Sequence, residues 1–211
     1  MKHIFLIRHG ETDWNREGRF QGKMDIPLNA LGRKQAEAAA GTLKNAAIDR
    51  VVSSSLSRAA DTASASTALS GLAVEVADGF REIDHGLWEG HTADEVEKLW
   101  PGMLASWHSH PETVTMPEGE TLKDVQVRAW AALEDVIAAP GSRVAVFSHD
   151  AVIKVILCGV VDCNLSSFWR FRIANASITL LEAGEKGLSL HVMGDAHHTG
   201  NPWKREEQKG L

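Results

Sequence analysis

The chain has 211 residues and an ordinary globular composition, with 44% hydrophobic and 24% charged residues. Its formal net charge of −6 argues against a nucleic-acid partner, because phosphate backbones require a broad basic face. The apolar run at residues 4–7 is too short for a secretory signal, and no stretch approaches the roughly 20 apolar residues of a membrane helix. We therefore expect a cytoplasmic protein that has no membrane partner.

Strand-like and helix-like segments alternate along the chain, judged from hydrophobic periodicity and β-branched content. In chain order we predict a strand at 2–8, a loop with a short helical piece at 11–22, a helix at 31–43, a strand at 51–54, a helix at 58–69 and a strand at 74–76. Helices follow at 92–100 and 121–138, then a strand at 143–147, a helix at 151–158, and strands at 177–181 and 188–192. Asn29 is placed to cap the first long helix, and Thr92 with Glu95 has capping-box spacing.

This alternation is typical of an α/β protein, here a three-layer α/β/α sandwich around a mostly parallel central sheet. The sequence shows no internal repeat and no linker, so we predict a single domain over residues 1–211. Pro101, Pro111 and Pro117 punctuate a small helical and loop insertion around residues 92–120. A polar tail begins at about residue 194.

Four basic side chains follow predicted strands. Arg8 and His9 end the first strand, Arg58 comes shortly after the second, and His149 follows the strand at 143–147. Ligands of open α/β sheets bind outside the carboxyl ends of the strands. If these strands are neighbours, two arginines and two histidines converge on one crevice.

Such a set suits a phosphate ester. Two guanidinium groups around one point hold a dianion well, and a histidine is a nucleophile when one ring nitrogen is unprotonated and the other is fixed by a hydrogen bond. Gly10 lets the backbone approach closely, and we expect its N–H to be free and aimed at the anion. Phosphoryl transfer needs mostly positioning and neutralisation of charge, which these residues can supply.

The leaving alkoxide needs a proton, and the loop at 81–86 carries two candidates. A carboxylic acid near an anionic phosphate keeps its proton to higher pH, which suits a general acid, and the same group can later activate water. Spacing alone does not choose between Glu82 and Asp84.

The sequence argues against a metal site. Cys158 and Cys163 have neither a disulfide framework nor a metal-ligand spacing, so we expect packing thiols in a reducing cytosol. No carboxylate or cysteine falls at a diagnostic spacing from His191, His197 or His198, and a solvated tail is the favoured interpretation.

Several separated motifs, in the right order, resemble the histidine phosphatase superfamily in its phosphoglycerate-mutase-like branch. They are Arg8-His9-Gly10-Glu11-Thr12 with Trp14-Asn15, Gln21-Gly22, Pro27-Leu28 with Leu31-Gly32, Ser53-Ser54-Ser55-Leu56-Ser57-Arg58-Ala59, Arg81-Glu82-Ile83, Gly86-Leu87-Trp88-Glu89-Gly90, Gly119-Glu120-Thr121 and Ser148-His149. The resemblance covers most of the chain up to about Leu181 and implies the fold of that branch.

The resemblance also implies a role for each matching residue. His9 is implied as the nucleophile, with Arg8, Arg58 and His149 forming the phosphate pocket. Glu82 is implied as proton donor and then base, which makes Asp84 the lesser candidate. Asn15 and Gln21 resemble substrate or phosphate contacts in the family, and neither a metal nor another cofactor is implied.

Within the family, the run at 82–88, Phe168-Trp169 and Asn175-Ala176-Ser177 most resemble the metal-independent phosphoserine phosphatases. Phosphoserine is therefore the leading substrate. In those enzymes a histidine in the position of His85 and the C-terminal tail are associated with substrate recognition. The tail at 195–211 departs from theirs, so an α-ribazole phosphatase and a broad-specificity phosphatase are close alternatives, and His85 is equally compatible with a structural hydrogen bond.

Two further functions are weighed against hydrolysis. A cofactor-dependent mutase would return the phosphoryl group to a sugar acid, and a non-catalytic module would bind a phosphorylated ligand without reaction. Retention of His9, Glu82 and His149 argues against the module, since binding alone needs neither nucleophile nor acid. The expected partners are a small phosphomonoester and, at most, a second copy of the chain in a homodimer.

One position departs from the family pattern. The second pocket histidine is usually followed by a small or neutral residue, whereas this chain has Asp150. A carboxylate beside a phosphate would repel it, so we expect the Asp150 side chain to point away as a helix cap.

Overall fold

The computed structural model describes residues 1–200, so the predicted polar tail is described only for residues 194–200 and otherwise lies outside the described residues. The strands are β1 Lys2–Arg8, β2 Arg50–Ser53, β3 Val74–Val76, β4 Arg143–Ser148, β5 Ile178–Gly184 and β6 Gly187–Asp195. The α-helices are α1 Asp13–Glu17, α2 Ala30–Lys44, α3 Ser57–Ser70, α4 Ala93–Leu99, α5 Met103–Ser109, α6 Leu122–Ala138 and α7 Asp150–Val160. The predicted order of elements is confirmed.

Within residues 1–200 the strands form one mixed sheet in the order β3-β2-β4-β1-β5-β6. The pairings β3–β2, β2–β4 and β4–β1 are parallel, and β5 and β6 are added antiparallel. Arg8 pairs with Ser148 at the carboxyl ends of β1 and β4, and Ser53 of β2 pairs with Phe147. The three strands that precede the predicted site residues are therefore direct neighbours.

Successive side chains of the central strands point to opposite faces of the sheet, as the period of a strand requires. Ile4 and Leu6 of β1 pack into the core cluster that contains the buried face of α6 and α7. Ile7 of β1 packs into a second cluster, which contains Leu43 of α2 and Ala63 of α3. Helices thus cover both faces, and the predicted three-layer sandwich is confirmed.

The helices begin where the sequence indicates. Asn29 accepts a hydrogen bond from the N–H of Gly32 at the start of α2, and Thr92 and Thr121 form capping boxes at the starts of α4 and α6. Apolar residues at helical spacing give α6 its buried face, which consists of Leu122, Val125, Ala129, Leu133 and Val136. These caps fix where the three helices begin and the preceding loops end.

Residues 92–120 consist of α4, α5 and a 3-10 turn at Pro111–Thr113, with a bridge between Thr115 and Thr121. After β6, a further 3-10 turn spans His197–Thr199. None of the helices described in residues 1–200 is both long and apolar enough to cross a bilayer.

Candidate active site

The carboxyl ends of β1 and β4 bring the two histidines together. His9 directly follows β1 and His149 directly follows β4, and the backbone N–H of His9 donates to the carbonyl of Ser148 at 3.0 Å. The two imidazole rings lie 5.1 Å apart, centroid to centroid, at an interplanar angle of 57°. Parallel pairing in register therefore places both rings at one point of the sheet edge.

The His9 ring is held in one tautomer. Its Nδ1 lies 2.7 Å from the carbonyl oxygen of Gly10, which can only accept, so Nδ1 carries the proton. Nε2 then has its lone pair available and no hydrogen-bond partner within residues 1–200. Burial, followed by the charges of Arg58 and Arg8, holds the pKa of His9 well below its usual range. The ring is therefore neutral at physiological pH, as a nucleophile must be.

The His149 ring is held by a contact with Ser54. Its Nε2 lies 2.8 Å from the hydroxyl oxygen of Ser54, while its Nδ1 is buried without a partner in the described part of the chain. Burial lowers the pKa of His149 well below its usual range, and the charge of Arg58 acts in the same direction. His149 is thus a neutral ring whose Nδ1 has no hydrogen-bond partner in residues 1–200.

Arg8 and Arg58 are anchored by backbone carbonyls rather than by surface carboxylates. Arg8 donates through Nη1 to the carbonyl of Ile173 at 2.6 Å, and Arg58 donates through Nη1 and Nη2 to the carbonyls of Met24 and Gly22 at 2.8 and 2.7 Å. The Nε atoms of both arginines are buried and have no partner in residues 1–200. Burial lowers the pKa of Arg58 to about 10, so it stays charged at neutral pH. Two oriented cations with donors to spare form a site for a dianion.

Glu82 lies in the loop that follows β3, and its side chain contacts the first turn of α7. Its Oε1 accepts from its neighbour's N–H, that of Ile83, at 3.1 Å and from the N–H of Ala151 at 3.2 Å. Only 3% of Glu82 is exposed, and burial, reinforced by the nearby Asp150 carboxylate, raises its pKa. A carboxyl group in this environment holds a proton to higher pH than usual, which is the property of a general acid.

Arg128 of α6 fixes the backbone that carries Glu82. Its guanidinium donates to the carbonyls of Gly79, Arg81 and Glu82 at 3.0, 2.5 and 3.0 Å. The same group pairs with both carboxylate oxygens of Glu120 at 2.8 Å. One arginine therefore ties three carbonyls of the loop to α6.

Asp84, the other acid candidate, is engaged in an ion pair. Its carboxylate lies 2.6 Å from Nζ of Lys23 and accepts from the N–H of Gly86 at 2.8 Å. Partial burial opposes the effect, but these contacts leave the pKa of Asp84 below its usual value. An acid that is ionised at neutral pH is a poor proton donor, so the geometry favours Glu82.

The expectation that the N–H of Gly10 is free to bind the anion is wrong. That N–H donates to the hydroxyl of Thr62 at 3.1 Å. A Cβ at position 10 would instead meet the carbonyl oxygen of Gly32 at 2.3 Å. Glycine is required here because the loop after β1 is pressed against the first turn of α2.

Asn15 and Gln21 are joined through Thr12. The hydroxyl of Thr12 donates to Oε1 of Gln21 at 2.8 Å and lies 3.1 Å from Oδ1 of Asn15. Asn175 donates to the carbonyl of His9 at 3.1 Å and approaches Asn15 at 3.4 Å. The two predicted contact residues therefore belong to one polar network that reaches the backbone of His9.

His85 lies in an aromatic environment next to this network. Its ring centroid is 5.0 Å from that of Phe20 and 6.3 Å from that of Trp107. Both ring nitrogens are buried, and neither has a hydrogen-bond partner in residues 1–200. Burial lowers the pKa of His85 to about 3, so the ring is neutral. The structural hydrogen bond considered from the sequence is not observed.

Comparisons with known proteins assign the chain to a family. The family model described as "Histidine phosphatase superfamily (branch 1)" matches residues 4–196. The chain belongs to the histidine phosphatase superfamily. This histidine phosphatase shares 34% identity with phosphoserine phosphatase 1 of Hydrogenobacter thermophilus, over 95% of each chain.

Two further relatives of this histidine phosphatase align over most of its length. A probable phosphoglycerate mutase of Enterobacter sp. strain 638 is 30% identical over 99% of this chain and 100% of its own. The solved structure of a mycobacterial glucosyl-3-phosphoglycerate phosphatase with VO3 superposes with a TM-score of 0.83 at 28% identity, covering 92% of this chain and 99% of that one. Family membership and these relatives establish a phosphoric monoester hydrolase.

The interpretation of Asp150 as a helix cap is wrong. The N-cap of α7 is His149, without a side-chain cap hydrogen bond, and Asp150 is the first helical residue. The carboxylate is completely buried, 3.4 Å from Nη1 of Arg8 and 2.6 Å from Nζ of Lys154. Buried cations, rather than the backbone of the first turn, therefore hold this side chain.

The sequence analysis missed several residues that support the histidine phosphatase site. They are Ser54, Thr62, Arg128, Lys154 and Asn175. Ser54 and Asn175 stand inside motifs that were recognised, and the spacing of Asp150 and Lys154 is that of an i,i+4 ion pair. Thr62 and Arg128 lie on helices, and the contacts that link them to the Gly10 and Glu82 loops are with backbone groups distant in sequence, which leave no local signal.

Metal ligation has no support in the described part of the chain. No group of three or more His, Cys, Asp or Glu side chains in residues 1–200 is placed to hold a metal ion. Cys158 and Cys163 are free thiols.

Proposed function

We propose that this histidine phosphatase hydrolyses a small phosphomonoester without a metal ion, through a phosphohistidine intermediate on His9. The observation that carries the proposal is the His9 ring itself. Its Nδ1 is tied to the Gly10 carbonyl, its Nε2 is without a partner in residues 1–200, and the charges of Arg8 and Arg58 act on it. A neutral imidazole beside two guanidinium groups combines a nucleophile with a site for the phosphate charge.

In the first step, Nε2 of His9 attacks phosphorus, a P–N bond forms and the ester P–O bond breaks. Arg8, Arg58 and His149 hold the phosphoryl oxygens, and Glu82 transfers its proton to the leaving alkoxide. The pKa of Glu82, raised by burial and by Asp150, keeps that proton available. Asn15 and Gln21, which are joined through Thr12, are assigned as substrate or phosphate contacts.

In the second step, the Glu82 carboxylate accepts a proton from water as the water oxygen attacks phosphorus. The P–N bond breaks, inorganic phosphate forms, and His9 returns to its neutral state. Glu82 is again protonated, so the cycle closes without an added cofactor.

Phosphoserine is the leading substrate of this proposal. The sequence relative from H. thermophilus is named for phosphoserine, and the structural relative acts on another phosphorylated molecule that contains a carboxylate, a glucosyl-3-phosphoglycerate. His85, buried beside Phe20 with two unpartnered ring nitrogens in the described structure, is the residue we assign to the non-phosphate part of the substrate. An α-ribazole phosphate or a broad range of esters is the alternative.

A phosphoglycerate mutase is the second candidate, because a probable mutase aligns with 99% of this chain. The hydrolase and mutase reactions share the phosphohistidine intermediate. They differ in the acceptor of the phosphoryl group, which is water for the hydrolase and a sugar acid for the mutase. Mutase activity would require a bisphosphorylated primer and would interconvert phosphoglycerate isomers.

Phosphate release is the first measurement, made in excess chelator with phosphoserine, 3-phosphoglycerate, α-ribazole phosphate and an aryl phosphate. Strong preference for phosphoserine supports the specialised function, and comparable rates throughout support a broad phosphatase. Release from none, together with isomer interconversion, would replace hydrolysis by the mutase.

The intermediate itself is tested by His9→Ala, with the exposed His191→Ala as the matched control. We expect His9→Ala to lower kcat at least about 10³-fold, because the nucleophile is lost. Acid-labile labelling by a phosphorylated substrate should disappear in the same variant and persist in the control. Near-normal turnover of His9→Ala would refute the mechanism.

A further inference from the structure

A buried ion pair joins two residues of α7 next to the active site. Asp150 and Lys154 are completely buried and lie one helical turn apart, with Oδ2 and Nζ separated by 2.6 Å. The ammonium group also lies 4.9 Å from the ring centroid of Phe168 and 4.7 Å from that of Trp169. Burying two charges costs free energy that apolar residues of similar size would not. Packing alone therefore does not explain a charged pair at this position.

The first turn of α7 contacts two different parts of the site. Oδ1 of Asp150 lies 3.4 Å from Nη1 of Arg8, the arginine at the end of β1. The next residue, Ala151, donates its N–H to Oε1 of Glu82 at 3.2 Å. The N-terminal end of α7 thus carries the Ala151 N–H that donates to Glu82 and, one residue earlier, the Asp150 carboxylate.

The charges that surround Glu82 come from four elements. Asp150 and Lys154 act from α7, Arg8 from β1 and Arg58 from α3, while Arg128 of α6 donates to the Glu82 backbone carbonyl. Three of the side chains whose charges act on Glu82 are cations, and each favours its ionised form. The Asp150 carboxylate opposes them, and after burial it is the larger contribution to the raised pKa of Glu82.

We propose that Asp150 and Lys154 are positioning residues that act through Glu82. The carboxylate of Asp150 keeps Glu82 in its acid form despite the neighbouring arginines, so that Glu82 can protonate the leaving oxygen. The ammonium of Lys154 balances Asp150 and limits this effect, so that Glu82 still releases its proton during the reaction. This inference rests on the proposed function, in which Glu82 is the general acid.

The test is the pH dependence of kcat in Asp150→Asn and Lys154→Met, measured with an alkyl phosphate such as phosphoserine. Activity falls as pH rises through the pKa of the acid. Removing the carboxylate should move this basic limb to lower pH by about one unit, and removing the ammonium should move it to higher pH. Loss of packing alone would lower kcat in both variants without shifting their limbs in opposite directions.

An aryl phosphate with a good leaving group serves as the internal control, because its leaving oxygen hardly needs a proton. The limbs of both variants should differ far less with this substrate. Asp135→Asn, the same chemical change on the exposed face of α6, should keep the wild-type limb. If Asp150→Asn does not fold, Lys154→Met decides the question: a limb at higher pH than wild type supports the role of the pair, and a limb at the wild-type pH overturns it.

Glu82→Gln separates failure of this inference from failure of the proposed function. It should remove the basic limb with the alkyl ester. If the limb persists in Glu82→Gln, Glu82 is not the acid and the proposed mechanism fails. If Glu82→Gln removes the limb but the folded Asp150 and Lys154 variants keep it at the wild-type pH, the role of the pair is overturned.

Discussion

In the proposed mechanism, each arginine of the pocket has two effects on the reaction. The guanidinium groups of Arg8 and Arg58 attract the phosphate dianion, and the same charges lower the pKa of His9 and keep its ring neutral. Burial strengthens both effects, because a low dielectric environment magnifies the attraction and disfavours a further cation. In the proposed mechanism, one arrangement of two buried, anchored arginines therefore serves both the binding of the substrate and the neutral state of His9.

Glu82→Gln tests the acid at the residue scale. We expect kcat for an alkyl phosphate to fall about 10²- to 10⁴-fold, because the amide cannot protonate the leaving oxygen. Inhibition by inorganic phosphate should stay close to wild type, since Arg8, Arg58 and His149 are untouched. Glu134→Gln, an exposed change on α6, is the control. Loss of phosphate inhibition in Glu82→Gln would assign the residue to binding instead.

At the scale of elements, α6 supports the loop that carries Glu82, the proposed general acid. Arg128 reaches from this helix to three carbonyls of the loop, and Glu120 holds the guanidinium from the other side. Because the Arg128 guanidinium holds the loop at three carbonyls, the carboxyl group of Glu82 has little freedom to move. Positions of catalytic groups need to be kept to within fractions of an ångström.

We expect Arg128→Lys to lower kcat with an alkyl phosphate about 10- to 100-fold. A lysine keeps the charge but cannot donate to three carbonyls and a carboxylate at once. Inhibition by phosphate should change less than kcat, because Arg128 does not belong to the phosphate pocket. Lys123→Met removes a cation from the exposed face of the same helix and should have no such effect. Equal losses in kcat and in phosphate affinity would show that the pocket itself has moved.

Sequence patterns gave the elements and their ends because these depend on local chemistry. The Asn29 and Thr92 caps, the apolar face of α6 and the basic residues after β1 and β4 are all read within a few residues of chain. Two expectations were wrong, one on the backbone N–H of Gly10 and one on the side chain of Asp150. Each had a partner from a distant segment, Thr62 in one case and Arg8 in the other. Hydrogen bonding and ion pairing across the sheet leave no signal in a single local motif.

At the scale of the whole molecule, three histidines are buried in neutral form. Burial lowers the pKa of His9, His85 and His149 below the usual value, and to about 3 for His85. The unfolded chain binds protons at these rings below pH of about 6.5, where the folded chain does not. Stability must then fall as pH drops through this value, and continue to fall until the folded pKa is reached. The burial that keeps these three rings neutral thus makes the fold sensitive to acid.

The free energy of unfolding, measured with urea at pH 6.5 and 5.5, tests this consequence. Each buried neutral histidine should account for a loss of about 1 kcal/mol between these values. His85→Phe keeps an aromatic ring beside Phe20 and Trp107 and should lose about 1 kcal/mol less than wild type over this interval. His191→Ala, at an exposed position of β6, should show the wild-type loss. The raised pKa of Glu82 acts in the opposite direction, so the difference between variants carries the test rather than the total. If His85→Phe and wild type lose equal stability, His85 is protonated in the folded protein, and its assignment as a neutral substrate contact fails with it.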